Sequence, residues 1–279
     1  MVDISTDLAE QRVIDVWFPR RNTTSLTSVL DEIAQAPLLP PYSDEAIDFC
    51  ATFAQELSRR ARGMPELQAL AFWMRKSELH RLREDFRALG TADVLLMPRG
   101  RVFHIPPANV DTIFVYSWLL SALAGNSNVI RLPSHESERT EVILEVLSEI
   151  AGRNEHVSLV RNTVMLRYGH DPQVTAALSR VADVRVVWGG DVTVEEIRRF
   201  SLPPHAIDLT FPDRSSLAAI DAQYYNQLDD DARELIADRF FNDAFWFDQL
   251  GCSSPRFLCW IGSEEKTRSA AHVFFEHLA

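Results

Sequence analysis

"GRVFHIPPANVDTIFVYSWLLSALAGNSNVIRLPS", residues 100–134, reads as strand, bend, helix and strand. An apolar run through Val102 and Ile105 is halted by Pro106 and Pro107, each of which fixes φ and lacks an amide hydrogen. An apolar helical stretch follows from about Asp111 to Ala124, and Gly125 stops it. A second short run, "SNVIRLP", then ends at Arg131 and Pro133. Two β-type runs joined by a helix of this length make a crossover, and crossovers join parallel strands.

The same alternation continues on both sides. "DVLLMP" (93–98), "VSLV" (157–160), "TVMLRY" (163–168), "VRVVWGG" (184–190), "AIDLTF" (206–211) and "PRFLCWIG" (255–262) read as strands, with helical patterns over 136–150, 172–181 and 192–200 between them. The implied fold class is α/β, a Rossmann-like parallel sheet. Upstream, after an irregular start with Pro37, Pro40 and Pro41, residues 43–86 repeat apolar positions at helical spacing: Ala46, Ile47, Phe49, Cys50, Phe53 and Leu57. Downstream, "LDDDARELIADRFFNDAFWFDQ" (228–249) reads as a helix with an acidic start, and "SEEKTRSAAHVFFEHLA" (263–279) as another. We expect a helical region over 1–90, a nucleotide-binding α/β domain over 91–214, and the start of a further domain over 215–279.

The chain has 279 residues, 46% hydrophobic and 24% charged, enough to bury a sizeable core. A formal net charge of -12 repels a phosphate backbone, so nucleic acid is not an expected partner. Three cysteines, Cys50, Cys252 and Cys259, give neither a disulfide framework nor a paired metal-ligand spacing; we expect no metal site and a cytoplasmic location. No secretory signal is visible at the start, and the apolar stretch 112–125 is shorter than the ~20 residues that span a bilayer.

Three local features bear on chemistry. Cys252 lies in "DQLGCSSPRFLCW" (248–260), in a Gly-Cys-Ser-Ser-Pro turn that offers no hydrophobic socket, so it is either a nucleophile or a plain turn residue. Cys259 lies in an apolar strand and Cys50 on an apolar helix face, both settings in which cysteine fills a core. Gly189 and Gly190 end a β-run just before a helix that opens at Asp191 to Thr193, which suits a phosphate but equally suits a tight turn. Asn109 is either a helix N-cap or an amide donor facing a ligand. His104 reads as a core histidine, and Phe240, Phe241, Phe245, Trp246 and Phe247 as core packing.

Taken in chain order, these features resemble the aldehyde dehydrogenase superfamily. More closely, "FWMRKS" (72–77), the Trp-Gly-Gly-Asp turn (188–191) and Asp-Gln-x-x-Cys-Ser-Ser-Pro (248–255) are similar to motifs of its LuxC-type acyl-CoA reductases, over residues 70 to 262. The resemblance implies a sheet of aldehyde dehydrogenase type followed by only the start of a catalytic domain, since relatives are longer. It makes Cys252 the nucleophile and Asn109 an oxyanion donor, with Gly189, Gly190 and Thr193 at a cofactor phosphate. Arg131, at the ribose position, favours NADPH, with NADH as the alternative. In hydrolytic relatives a general-base Glu stands where "AIDLTFPDRSS" (206–216) offers Thr210 or Phe211. The implied activity is reduction of an acyl-CoA or other acyl thioester to an aldehyde. The implied partners are an acyl-protein synthetase subunit, a missing C-terminal half, or a second copy of the chain. Two other classes stay open: a non-catalytic nucleotide- or partner-binding remnant, and a cysteine acyltransferase or thioesterase.

Overall fold

The computed structural model describes residues 12–153, 155–246, 249 and 251–279. The leader reading of residues 1–11, Phe247 of the aromatic run, and Asp248 and Leu250 of the cysteine motif lie outside the described residues. The chain divides into two compact units, 1–212 and 213–279.

In the first unit, β1 (Val13–Phe18) and β2 (Asn22–Ser25) form an antiparallel pair, followed by α1 (Leu26–Gln35). The helices α2 (Asp44–Arg60), α3 (Pro65–Trp73) and α4 (Lys76–Ala88) come next. Then β3 (Arg101–Ile105), α5 (Ile113–Leu123), β4 (Ser127–Arg131), α6 (Glu138–Ala151), α7 (Val157–Arg161) and β5 (Thr163–Arg167) alternate. The unit ends with α8 (Pro172–Val181), β6 (Val184–Trp188), α9 (Asp191–Arg198) and β7 (Ile207–Phe211).

These seven strands make one sheet in the order β2-β1-β5-β4-β3-β6-β7, with β5, β4, β3, β6 and β7 mutually parallel and β1 antiparallel to β5. The inner strands bury both faces, which is why they read as continuous apolar runs. One face packs on α2 to α7 around Phe49, Phe53, Trp118 and Met165. The other packs on α1, α8 and α9 around Ile14, Val29, Leu166 and Leu178. Each buried Phe or Leu contributes roughly 1.5–3 kcal/mol by leaving water.

Local chemistry sets the helix ends. The Ser43 hydroxyl accepts the Ala46 N–H at 3.3 Å to start α2, whose last turn carries Arg59 and Arg60 at the negative end of the dipole. The Asp171 carboxylate accepts from Gln173 and Val174 at the start of α8, with Pro172 as its first residue. Gly125, just past α5, has φ +87°, and a Cβ there would run into the Leu39 carbonyl; only glycine fits.

Several sequence expectations are corrected. The irregular start holds the β1–β2 hairpin, which extends the parallel sheet at its β5 edge. "DVLLMP" is not a strand: Val94 forms only an isolated bridge to Thr91, and Leu95 and Met97 are exposed. "VSLV" lies in the one-turn helix α7, a case in which a four-residue apolar run carries no period.

The second unit holds β8 (Ser216–Asp221), α10 (Ala222–Gln227), α11 (Asp230–Phe245), β9 (Pro255–Ile261) and α12 (Glu264–Leu278). Here β8 and β9 form a parallel pair. Ile220, Leu258 and Trp260 face the helices and join a core of Tyr225, Ala237, Ala270 and Phe274. The opposite face carries the paired positions Leu217 and Phe257, Ala219 and Cys259, Asp221 and Ile261, all exposed. Cys259 is therefore a surface thiol rather than a core filler, because strand alternation points it away from the helices. Of the described residues of the aromatic run, Phe240 packs on the core while Phe241, Phe245 and Trp246 are exposed, so among these the core expectation holds for Phe240 and not for the other three.

Candidate functional site

In the order β5-β4-β3-β6-β7 the chain winds one way from β3 through β4 to β5, then returns to the other side of β3 for β6 and β7. The direction reverses between β3 and β6. At such a switch point the loops leaving the two carboxyl ends diverge and open a crevice, where open α/β sheets bind ligands. The loop leaving β3 carries Pro106, Pro107 and Asn109; the loop leaving β6 is Gly189-Gly190; the neighbouring β4 ends at Arg131. The fold thus brings three of the segments singled out by sequence to the carboxyl edge of three adjacent strands.

At the β6 turn the reason for glycine is packing. A Cβ on Gly189 would lie 3.0 Å from Thr193 Cγ2 and 3.1 Å from Thr193 Cβ, tighter than side chains normally sit. The Gly189 N–H donates to the Phe211 carbonyl at 3.3 Å, tying the turn to β7. Gly190 is the N-cap of α9 and gives it no side-chain cap, so the first-turn N–H groups of this helix point toward the turn without a protein side chain answering the cap. Thr193 is exposed in that first turn.

Asn109 is exposed in the bend after β3. The N-cap position of α5 is Thr112, which forms no side-chain cap bond, so Asn109 lies three residues ahead of the cap. Arg131 is held at the end of β4: its guanidinium lies 5.0 Å from the Tyr168 ring centroid, and Nη2 donates to the Gly169 carbonyl at 3.3 Å. Tyr168 is buried under it, and burial pushes its hydroxyl up to about 12.

Sequence reasoning placed His104 in the core, as the structure does, but did not find its polar partners beneath this edge. His104 on β3 is fully buried, with Nδ1 2.8 Å from Ser117 Oγ on α5 and Nε2 3.0 Å from Asn128 Oδ1 on β4. Burial lowers its pKa to about 4, so the ring is neutral near pH 7. Ser117 Oγ also accepts the Trp188 indole N–H at 3.2 Å. Trp188 in turn stacks on Phe211, ring centroids 3.9 Å apart and 9° from parallel. Thr210 accepts a hydrogen bond from Arg198 Nη2 at 3.3 Å.

In the second unit Cys252 lies in an exposed turn immediately ahead of β9. The turn is closed by the Ser254 N–H donating to Gly251 O at 3.0 Å and fastened to the start of β8 by Ser216 Oγ donating to the Cys252 carbonyl at 2.8 Å. The thiol is presented on a defined backbone rather than packed away.

A sequence profile described as acyl-CoA reductase (LuxC) matches residues 92–278, about two thirds of the chain. The chain belongs to the LuxC family of acyl-CoA reductases. Two curated relatives agree with the LuxC assignment. A long-chain acyl-protein thioester reductase of Aliivibrio fischeri is 25% identical over 181 residues, covering 64% of this chain and 36% of that protein. Long-chain acyl-protein thioester reductase 2 of Photobacterium leiognathi is 25% identical over 193 residues, covering 68% and 37%. This LuxC-family chain thus spans little more than a third of the length of the curated relatives it matches.

Among solved structures, aldehyde dehydrogenase 21 from Physcomitrella patens superposes with a TM-score of 0.65 at 14% identity, covering 96% of this chain and 60% of that one. A benzaldehyde dehydrogenase from Corynebacterium glutamicum gives 0.62 at 12%, covering 96% and 64%. This chain therefore has the aldehyde dehydrogenase fold over nearly its whole length. No helix among the described residues is long and apolar enough to cross a membrane.

Proposed function

We propose that this chain carries the nucleotide-binding and nucleophile-bearing part of a fatty acyl thioester reductase that uses a nicotinamide cofactor, with NADPH preferred over NADH. The observation that carries the reading is the switch point between β3 and β6, flanked by Asn109 on one side and Gly189-Gly190 on the other, in a family named for acyl-CoA reduction.

The residues fit a dinucleotide. Gly189 lets the turn close on Thr193, and the uncapped first turn of α9 offers N–H groups to a diphosphate. Arg131, fixed over Tyr168, presents a planar cation suited to a 2′-phosphate. The nicotinamide, when bound, supplies the hydride that releases the acyl group as an aldehyde.

The chain's own chemistry begins at Cys252. Its sulfur forms a bond to the thioester carbonyl carbon, the bond to the donor's sulfur breaks, and the carrier leaves as a thiol with the proton that Cys252 gives up. The resemblance assigns Asn109 and the Cys252 N–H as the donors to the oxyanion. By the resemblance, Thr210 or Phe211 takes the place of the carboxylate base with which a hydrolytic relative activates water, and neither side chain is such a base. The acyl donor is acyl-CoA or an acyl-protein thioester, the second being the substrate class that the names of the two relatives specify.

Intact-protein mass spectrometry tests this. Incubation with a long-chain acyl-CoA is expected to add one acyl group to the wild-type chain and none to Cys252→Ala, and NADPH is expected to discharge it as aldehyde. Acylation that NADPH leaves in place would support a transferase instead. Absence of acylation would remove Cys252 from the chemistry and leave a binding role.

A further inference from the structure

The buried polar groups under the switch point permit only one arrangement of hydrogens. Asn128 Nδ2 donates to the Asn126 carbonyl at 2.7 Å, which fixes Oδ1 as the end facing His104 Nε2, 3.0 Å away. An amide oxygen only accepts, so Nε2 carries the proton and the neutral ring leaves Nδ1 bare. Ser117 must then donate its hydroxyl hydrogen to Nδ1 across 2.8 Å. Its lone pair is left for the indole N–H of Trp188, which can only donate, at 3.2 Å. Four hydrogen bonds thus run in one direction, Trp188 to Ser117 to His104 to Asn128 to the Asn126 backbone, linking β6, α5, β3 and β4. His104, Ser117, Asn128 and Asn126 are all buried, where such a chain polarises itself and each bond is costly to leave unmade.

Trp188 is the residue immediately before Gly189. Its indole is gripped at the edge by Ser117 and on its face by Phe211, while on the other side of the strand Gly189 closes on Thr193. We infer that Ser117 and His104 are positioning residues for the nucleotide: acting through the Trp188 indole, they fix the Gly189-Gly190 turn in the shape that receives the diphosphate. The inference rests on the nucleotide reading above, and adds that the affinity of the turn is set by a serine and a histidine that do not touch the ligand.

The test is NADPH binding to the full chain, followed by fluorescence, for wild type, Ser117→Ala, Ser117→Thr and Trp188→Phe. Removing the acceptor or the donor of the indole bond is expected to weaken binding about tenfold each, the scale of one hydrogen bond. The double variant Ser117→Ala/Trp188→Phe is expected to be no weaker than either single one, because both remove the same link. Ser117→Thr, which keeps the hydroxyl, is expected to restore near wild-type affinity. Unchanged affinity in Ser117→Ala, or additive losses in the double variant, would overturn the inference.

Should wild type bind neither NADPH nor NADH, the cofactor reading itself falls, and hydrogen exchange decides the positioning role separately. Faster exchange of the Trp188 indole N–H and the Gly189 amide in Ser117→Ala, reversed in Ser117→Thr, supports pinning of the turn. Unchanged exchange overturns it.

Discussion

Arg185 and Asp208 face each other across β6 and β7 and share two hydrogen bonds, Nε to Oδ1 at 2.8 Å and Nη2 to Oδ2 at 2.7 Å. The guanidinium is buried beneath them, with Nη1 donating to Ser179 Oγ at 3.1 Å and the Phe200 carbonyl at 2.8 Å. Asp208→Ala leaves that charge buried without its counter-ion, and we expect a loss of about 3 kcal/mol in urea unfolding. Replacing both residues by apolar ones of similar size, Arg185→Met with Asp208→Leu, is expected to recover most of it. A cost under ~1 kcal/mol for Asp208→Ala would mean that Ser179 and Phe200 alone satisfy the cation.

Gly125→Ala combines a positive φ with a collision against the Leu39 carbonyl, so its cost is expected to exceed the ~1 kcal/mol of an ordinary glycine replacement. Gly152→Ala is the matched control: φ is −72° and the nearest atom to a new Cβ is 3.5 Å away, so that variant is expected to be neutral or slightly stabilising. Thermal unfolding midpoints of the two variants against wild type check this.

His104 makes stability depend on pH. Its folded pKa lies at about 4, below the ordinary 6.5, so the unfolded chain binds a proton there that the folded chain refuses. The contribution is complete above pH 6.5 and is lost as pH falls toward 4, up to about 3 kcal/mol. Urea midpoints measured between pH 7 and 4 are expected to fall for wild type and to fall less steeply for His104→Gln. Equal slopes would assign the dependence to other groups.

The three sulfurs should separate by reactivity. Cys50 is fully buried, and burial pushes its thiol up to about 12, whereas Cys252 and Cys259 are exposed. A colorimetric thiol reagent is expected to count two sulfurs in the native protein and a third only in denaturant. Cys252→Ala and Cys259→Ser are each expected to remove one of the fast pair. A single fast thiol in wild type would contradict the outward face of β9.

Much of the fold is legible because inner parallel strands have to be apolar on both faces. "SNVIR", "TVMLR" and "VRVVW" advertise themselves for that reason. β8 does not, since "SLAAID" alternates small residues that any loop could hold, and neither does the polar "NTTS" of β2. The segments around Asn109 and Gly189 in the first unit, and the turn of Cys252 in the second, stand out in the sequence by the residues flanking them. The hydrogen-bonded set is not. His104 meets Ser117 and Asn128 from 13 and 24 positions away, and Ser117 meets Trp188 from 71, so only strand order brings them together.

The outward face of β8 and β9 has a consequence for the behaviour of the protein in solution. Leu217, Phe257 and Ile261 are more than half exposed there, while each molecule carries a formal charge of -12. At low ionic strength the like charges keep molecules apart; at 0.1 M salt that repulsion reaches only about 10 Å, and apolar faces can meet. Solubility is therefore expected to fall as salt is raised. Light scattering along a salt gradient, with Phe257→Lys as the control that stays clear, would measure how far this one face governs colloidal stability.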